Sequence, residues 1–331
     1  MSASADGPTP AESRTDSVYI AEQEIRGVLT YEALIPAIRQ ALIDYSAGLA
    51  VQPPRSILRA GNAQGVNNGW FAVMPVVADD VMAVKTVTFF PGNAALGLHT
   101  HMAIIELLSR STGQPLAVMD GRLITEMRTA AVSAVAFDAL APTLFPGPGP
   151  ASLGILGSGV QARAHIQALR HVWPSLREIL VWSRNPANAE RLAQETGARA
   201  VTREEATAAD VVLTATASAE PVLLGRNLAS HSLILAVGAT GATLRELDDE
   251  AMLSSTVVAE SRSCVERESG DVILSGAKVQ SEIGEILAGE AAPPRPARIV
   301  FKSVGMAIED LTAARLVWQA LPSLPKRIPH A

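Results

Sequence analysis

Ala151-Ser-Leu-Gly-Ile-Leu-Gly-Ser-Gly-Val-Gln-Ala162 is the stretch that decides the fold, an apolar run that breaks into Gly157-x-Gly159-x-x-Ala162. Residues 152–156 read as a buried strand, 161–172 as a helix and 178–183 (Glu-Ile-Leu-Val-Trp-Ser) as the next strand. That is the βαβ context a dinucleotide fingerprint requires. Gly157 suits the tight turn and Gly159 a close backbone approach to a pyrophosphate. Ala162 lets the helix pack closely on the sheet, with the phosphates at its N-terminus. A purely structural glycine turn is the alternative, and the flanks on both sides speak against it. The motif lies mid-chain, so a separate domain is expected in front of it.

The 331 residues suffice for about two domains, and with 48% of them hydrophobic and 18% charged the chain can bury a large core. A formal charge of -6 gives no basic footprint for nucleic acid. Every apolar run falls short of the ~20 residues that span a membrane. Residues 1–16 are small, polar and proline-containing, and read as a disordered lead-in without signal-peptide character. Cys264 is the only cysteine, which rules out an internal disulfide framework and a zinc ribbon. A soluble, cytoplasmic protein is expected.

Outward from the motif, two patterns alternate. Before it come a helix at 31–48 and a run of strands at 55–59, 70–77, 81–90, 103–108 and 116–120, with turn residues between them. An alanine-rich helix over 130–140 and a proline-glycine loop over 142–150 lead into the motif. After it, strands at 152–156, 178–183, 198–201, 211–217, 233–239 and 256–260 alternate at first with helices near 161–172, 186–196 and 204–208. This is an α/β chain: a doubly wound parallel Rossmann sheet inserted in a mixed α+β domain. The helix over 305–321 is expected to return to the first domain because the sheet is complete without it. The expected division is 17–128 plus 304–331 for the first domain, and 129–303 for the dinucleotide.

Several residues could carry chemistry. Ser183-Arg184, ending the second strand of the βαβ unit, replace the acidic residue that accepts ribose hydroxyl bonds in NAD-selective sites, and an arginine there favours the 2′-phosphate of NADP(H). A solvated strand-end charge is the alternative. Lys85 shares a strand face with Val81, Ala83, Val87 and Phe89, where desolvation would lower its pKa toward a range useful for proton transfer. A half-buried face with the ammonium reaching water is the other reading. Arg128 precedes Thr129, at the expected start of the alanine-rich helix. Guanidinium and helix N-terminus together would receive a carboxylate, or Arg128 forms an ordinary ion pair with Glu126 or Asp120. Arg55 is a second candidate carboxylate ligand, whereas Arg59 on the same face is expected to be exposed. His99 and His101 have strand-pair spacing but no completing ligands, so no metal is expected.

Taken together, the chain resembles the ornithine cyclodeaminase/mu-crystallin family, with mu-crystallin-like and bacterial ketimine-reducing members nearest in pattern. The resemblance covers roughly 31–318 and rests on ordered matches. They are Pro54-Arg55-Ser56, Val84-Lys85-Thr86, Phe90-Pro91-Gly92-Asn93, Ala117-Val-Met-Asp-Gly121, Arg128-Thr-Ala-Ala-Val-Ser133 and Gly157-Ser-Gly-Val-Gln161. Further on come Arg245-Glu-Leu-Asp248, Glu268-Ser-Gly-Asp-Val272 and Phe301-Lys-Ser-Val-Gly-Met306. It implies a homodimer that binds a nicotinamide dinucleotide and a small imino acid, with 17–128 plus 304–331 as the substrate-binding and dimerisation domain and 129–303 as the Rossmann domain. Arg55, Lys85 and Arg128 match positions that hold the substrate carboxylate and reacting nitrogen, with Lys85 and Arg128 as the catalytic pair. His101, Arg128, Gly157, Ser158, Gly159, Val160, Gln161, Ser183, Arg184, Asn185, Thr216, Val237 and Ser303 match cofactor-contacting positions.

One departure bears on the reaction. Cyclodeaminases of the family carry an aspartate where this chain has Thr240, in Ala236-Val-Gly-Ala-Thr240. A threonine hydroxyl exchanges hydrogen bonds but is no general base near neutral pH. The resemblance therefore implies NADPH-dependent reduction of cyclic imino acids, Δ1-pyrroline-2-carboxylate to proline or Δ1-piperideine-2-carboxylate to pipecolate, with Thr240 beside the substrate. The rival readings are ornithine cyclodeamination, an alanine-dehydrogenase-like activity, and a non-enzymatic small-molecule binder.

Overall fold

The computed structural model describes residues 18–61, 68–294 and 297–321, so the expected lead-in at 1–16 lies outside it. Two sheets organise the chain. The first contains β1 (Val18–Ile20), β2 (Ser56–Ala60), β3 (Gly69–Ala78), β4 (Val81–Phe89), β5 (His101–Ser109) and β6 (Pro115–Asp120), in the order β1-β6-β5-β4-β3-β2. Strands β2 to β6 form an antiparallel meander, and β1 runs parallel to β6. Alternation sets its faces: Val81, Ala83, Lys85 and Val87 are buried and the residues between them are half-buried.

The inner face of that sheet is covered by α3 (Arg122–Leu144) and a last helix, α11 (Ala307–Ala320), and on these two helices packs α2 (Tyr31–Ser46), which follows the short α1 (Glu22–Val28). Helix α2 starts on the Thr30 cap and buries Leu34, Ile35, Ile38, Ala41 and Leu42, the apolar stripe its sequence displays. Helix α11 packs on α2, α3 and β3 to β5, so the tail does return to the first sheet.

The second sheet is parallel and has eight strands: β7 (Ser152–Leu156), β8 (Glu178–Trp182), β9 (Arg199–Ala200), β10 (Val211–Thr214), β11 (Ser232–Ala236), β12 (Thr256–Ala259), β13 (Val279–Glu282) and β14 (Arg298–Lys302). Their order is β13-β12-β14-β11-β10-β7-β8-β9, so the winding reverses between β7 and β10, where a doubly wound sheet opens its ligand crevice. The helices on its faces are α4 (Val160–Val172), α5 (Pro186–Thr196), α6 (Arg203–Thr207), α7 (Asp249–Leu253), α8 (Arg262–Glu268), α9 (Gly270–Ser275) and α10 (Ile283–Leu287). Among the described residues no helix is long and apolar enough to cross a membrane.

Several expectations need correction. The sheet is not complete after residue 260: β13 and β14 complete it, and β14 inserts between β11 and β12. Both hid because they are short and polar at their ends, as in Val279-Gln-Ser-Glu282. Strands expected to reach 217 and 239 stop at Thr214 and Ala236. Beyond those points the N–H groups of Thr216, Gly238 and Ala239 turn from the ladder to the buried Glu246 carboxylate. The largest error concerns α3, which begins at Arg122 rather than 130 and runs unbroken through the expected boundary at 128/129. Leu123 and Ile124 are its first buried residues, and they extend the apolar stripe ahead of the alanine run.

Candidate active site

Lys85 projects from the middle of β4 into the interior, between its cross-strand partners Met74 and Ile105, and is 2% exposed. Its ammonium lies 2.6 Å from Oδ2 of Asp310 in the first turn of α11. Oδ1 of the same carboxylate accepts a 3.0 Å hydrogen bond from Nε of Arg128, whose Nη1 lies 2.6 Å from Oε2 of Glu309. All four side chains are buried. Burial lowers the Lys85 pKa from 10.5 to about 8, with Asp310 opposing the shift and the Arg128 and Arg55 charges reinforcing it. Buried ion pairs of this kind contribute little net stability, because desolvation offsets most of the Coulomb gain. Their value here is placement of charge.

Arg128 therefore stands in the seventh position of a helix, two turns from its N-terminus. The expected receptor made of Arg128 plus a helix N-terminus does not form, and neither does the ion pair with Glu126 or Asp120. Glu126 faces Arg122 instead, and Asp120 accepts the Arg122 backbone N–H. The guanidinium has room because Gly305, at φ +85°, sits against it.

Arg55, just before β2, donates through Nη2 to the carbonyls of Val304 (2.7 Å) and Gly305 (2.6 Å), and its Nε lies 2.8 Å from Oε2 of Glu268. The N–H groups of Val304 and Gly305 donate to Oε1 of Glu260. Glu260 also hydrogen-bonds Glu309; burial and the Glu309 charge push Glu260 well up, and burial with the neighbouring Asp310 charge pushes Glu309 up. Arg59 is exposed.

At the other side of the crevice the glycine motif opens α4. Gly157 has φ +128°, its N–H donates to the Trp182 carbonyl, and a Cβ there would stand 2.5 Å from the Ala215 carbonyl oxygen. Sterics demand glycine at that position. A Cβ on Gly159 would meet nothing within 4 Å, so what glycine preserves there is open space in front of the helix. The N-terminus of α4 has no side-chain cap, Val160 is exposed, and Gln161 holds a buried Oε1 without a hydrogen-bond partner among the described residues. Open space and free N–H groups at the start of the helix fit a pyrophosphate-bearing ligand.

Ser158 Oγ bonds Ser183 Oγ at 2.9 Å, tying the glycine turn to the end of β8, where Arg184 and Asn185 are exposed. Asn185 also caps α5. Thr216, Val237 and Ser303 lie just past the carboxyl ends of β10, β11 and β14, and Thr240 is half-buried beyond β11. His101 opens β5 opposite Phe89, 4.5 Å from that ring between centroids. Its outer edge is exposed, and burial of the rest plus the Lys85 charge hold its pKa below the usual value.

Residue-type reasoning passed over the carboxylates. Asp310 and Glu309 were available as acids inside an apolar helix, with Asp310 four residues from both Met306 and Ala314 and so on the same face. Glu246 accepts from Thr214, Thr216, Gly238 and Ala239, and so holds the two loops that close the crevice. Lys302, fully buried, lies 2.9 Å from Oδ2 of Asp271 and donates to the Ala239 carbonyl.

Residues 16–323 match the model of the ornithine cyclodeaminase/mu-crystallin family. The ketimine reductase mu-crystallin of Mus musculus is 38% identical over 315 residues, covering 92% of this chain and 97% of that protein. The structure of Thermococcus litoralis Δ1-pyrroline-2-carboxylate reductase in complex with NADH and L-proline superposes with a TM-score of 0.83 at 32% identity, covering 92% of this chain and 97% of the other. An archaeal alanine dehydrogenase dimer with bound NAD gives 0.84 at 26% identity, covering 93% and 96%. This chain belongs to the ornithine cyclodeaminase/mu-crystallin family.

Proposed function

We propose that the protein is an NADPH-dependent reductase of cyclic α-imino acids, converting Δ1-pyrroline-2-carboxylate to proline or Δ1-piperideine-2-carboxylate to pipecolate. The observation that carries this reading is the buried cluster of Lys85, Arg128 and Arg55, two of which lie against the Val304–Gly305 segment that follows β14. A planar ring with one carboxylate and one basic nitrogen matches two guanidinium groups and one ammonium. The mu-crystallin of Mus musculus and the Thermococcus litoralis enzyme support the substrate class.

The dinucleotide would be held by Gly157, Ser158, Gly159, Val160 and Gln161 at the pyrophosphate, by Ser183, Arg184 and Asn185 at the ribose end, and by His101, Thr216, Val237 and Ser303 further along. Once bound it would supply a hydride to the C=N carbon. Arg128 and Arg55 fix the carboxylate and so orient that carbon, which is where much of the rate comes from. Lys85 keeps a proton at Nζ for the ring nitrogen, so the C=N bond gains one hydride and one proton. No amine need be deprotonated, and Thr240 suffices as a hydrogen-bonding neighbour. The preference for NADPH rests on Ser183-Arg184, since the Thermococcus litoralis enzyme is described with NADH.

A homodimer is part of the same reading. The outer face of the first sheet carries Tyr19, Met102 and Ile104, 43 to 49% exposed, with half-buried Phe71, Val73, Val84 and Val118 around them. A second copy of the chain would cover this apolar face, in keeping with the dimer of the archaeal relative.

The test is NADPH oxidation on addition of either cyclic imine. Tight NADPH binding without turnover of both imines would falsify the assignment.

A further inference from the structure

We propose that Asp310 is the positioning residue for Lys85: its carboxylate fixes the ammonium against the Arg128 guanidinium and keeps the lysine charged until a proton is needed. This rests on the imine-reductase reading. One carboxylate spans both cations, Oδ2 at 2.6 Å from Lys85 Nζ and Oδ1 at 3.0 Å from Arg128 Nε. It does so from the apolar face of α11, 2% exposed, where an unpartnered carboxylate would be costly.

The groups around Lys85 show what Asp310 opposes. Helix α3 presents Arg128 and the segment before β2 presents Arg55, both cations. From β5 come the neutral Ile105 and, nearer the strand start, His101, while β3 offers Met74. Asp310 is the anion among the charges that bear most on the ammonium. Glu309 and Glu260 lie behind Arg128, where they balance the guanidinium. Without the Asp310 carboxylate, burial and two cations act on Lys85 together and favour the neutral amine. A neutral amine has no proton to give. The ammonium has three N–H donors, and committing one to Asp310 leaves two for a substrate.

The chain has four lysines, Lys85, Lys278, Lys302 and Lys326, so carbon-13 labelling at lysine Cε gives a spectrum simple enough to titrate. The Lys85 signal is assigned by its loss in Lys85→Arg. In folded Asp310→Asn the Lys85 midpoint is expected to drop by about one unit or more. The alkaline limb of kcat/KM should move down with it, and NADPH affinity should stay unchanged. A midpoint that does not move in the folded variant overturns the proposal, as does a uniform loss of rate without a moved limb. Should Asp310→Asn not fold, Asp310→Glu decides. It retains the charge, so the midpoint should stay near the wild-type value while kcat falls by about tenfold to a hundredfold through misplacement of the ammonium. Full kcat in Asp310→Glu overturns the proposal. A shifted Lys85 midpoint in a protein that turns over neither imine would retain the Asp310–Lys85 coupling and discard the reductase reading.

Discussion

Gly305 and Arg128 are fitted to each other: a Cβ at position 305 would stand 2.6 Å from Nη1 of the guanidinium, in a residue whose φ is +85°. Gly305→Ala combines left-handed backbone strain with that clash. It is expected to cost about 1–3 kcal/mol of stability and to displace the guanidinium. Denaturant unfolding and the KM for the cyclic imine should both register the change, and wild-type values for both would refute the fit.

The Lys85 ammonium, lowered from 10.5 to about 8, should govern the alkaline side of the pH profile. Below that value Lys85 is charged and kcat/KM is flat with respect to this group. Above it the proton is lost and kcat/KM declines about tenfold per pH unit. Lys85→Met should lower kcat by about a hundredfold to ten-thousandfold, with fluorescence titration of NADPH unaltered. A wild-type profile flat to pH 10 contradicts the role.

Two substitutions in the crevice separate the parts of the dinucleotide. Gly159→Ala adds a methyl group that no protein atom meets, so stability should hold while affinity for both NADPH and NADH declines. Arg184→Ala removes a charge-assisted contact to a 2′-phosphate, so the KM for NADPH should rise about tenfold to a hundredfold and that for NADH should not. Equal effects on the two cofactors would remove Arg184 from the specificity argument.

His165 on α4 is buried with Nδ1 2.7 Å from the Gln161 carbonyl and Nε2 2.9 Å from Ser133 Oγ. Burial drives its pKa down from 6.5 to about 4, with the Gln161 bond opposing. The unfolded chain takes up this proton near 6.5 and the folded chain only near 4, so stability declines as pH falls through that window. Between pH 7 and pH 5 the loss should be about 2 kcal/mol. In His165→Gln this component of the pH dependence should vanish from urea titrations, and an unchanged slope would assign it elsewhere.

Ile104→Lys places a charge on the outer face of the first sheet, between Met102 and the cross-strand neighbours Thr86 and Asp120. If a second copy covers that face, analytical ultracentrifugation should find the variant dissociated at concentrations where the wild type is dimeric, with each monomer still folded. A wild-type monomer would end the dimer reading directly.

The Rossmann half was legible because its signal is local: a glycine turn between two apolar strands, with Arg184 one unit downstream. Lys85 was legible from alternation alone, since a charge at a position of the buried face stands out in one strand. The Arg128 environment was not, because its partners Glu309 and Asp310 are some 180 residues away and only packing of α11 on α3 brings them together. The start of α3 was misjudged because the run of alanines from 130 onward overshadowed the apolar residues ahead of it, Leu123 and Ile124. Strands β13 and β14 were missed because parallel pairing with neighbours, rather than their own periodicity, makes them strands.

Helix α3 carries Arg128 and, five residues later, Ser133, whose hydroxyl meets the imidazole that grips the first turn of α4. At a rise of about 1.5 Å per residue, the helix acts as a ruler between the guanidinium and the glycine turn. The spacing of the Arg128 guanidinium from the glycine turn is thus written into a count of residues, and one residue inserted between 128 and 133 would rotate the two grips by about a hundred degrees without touching either.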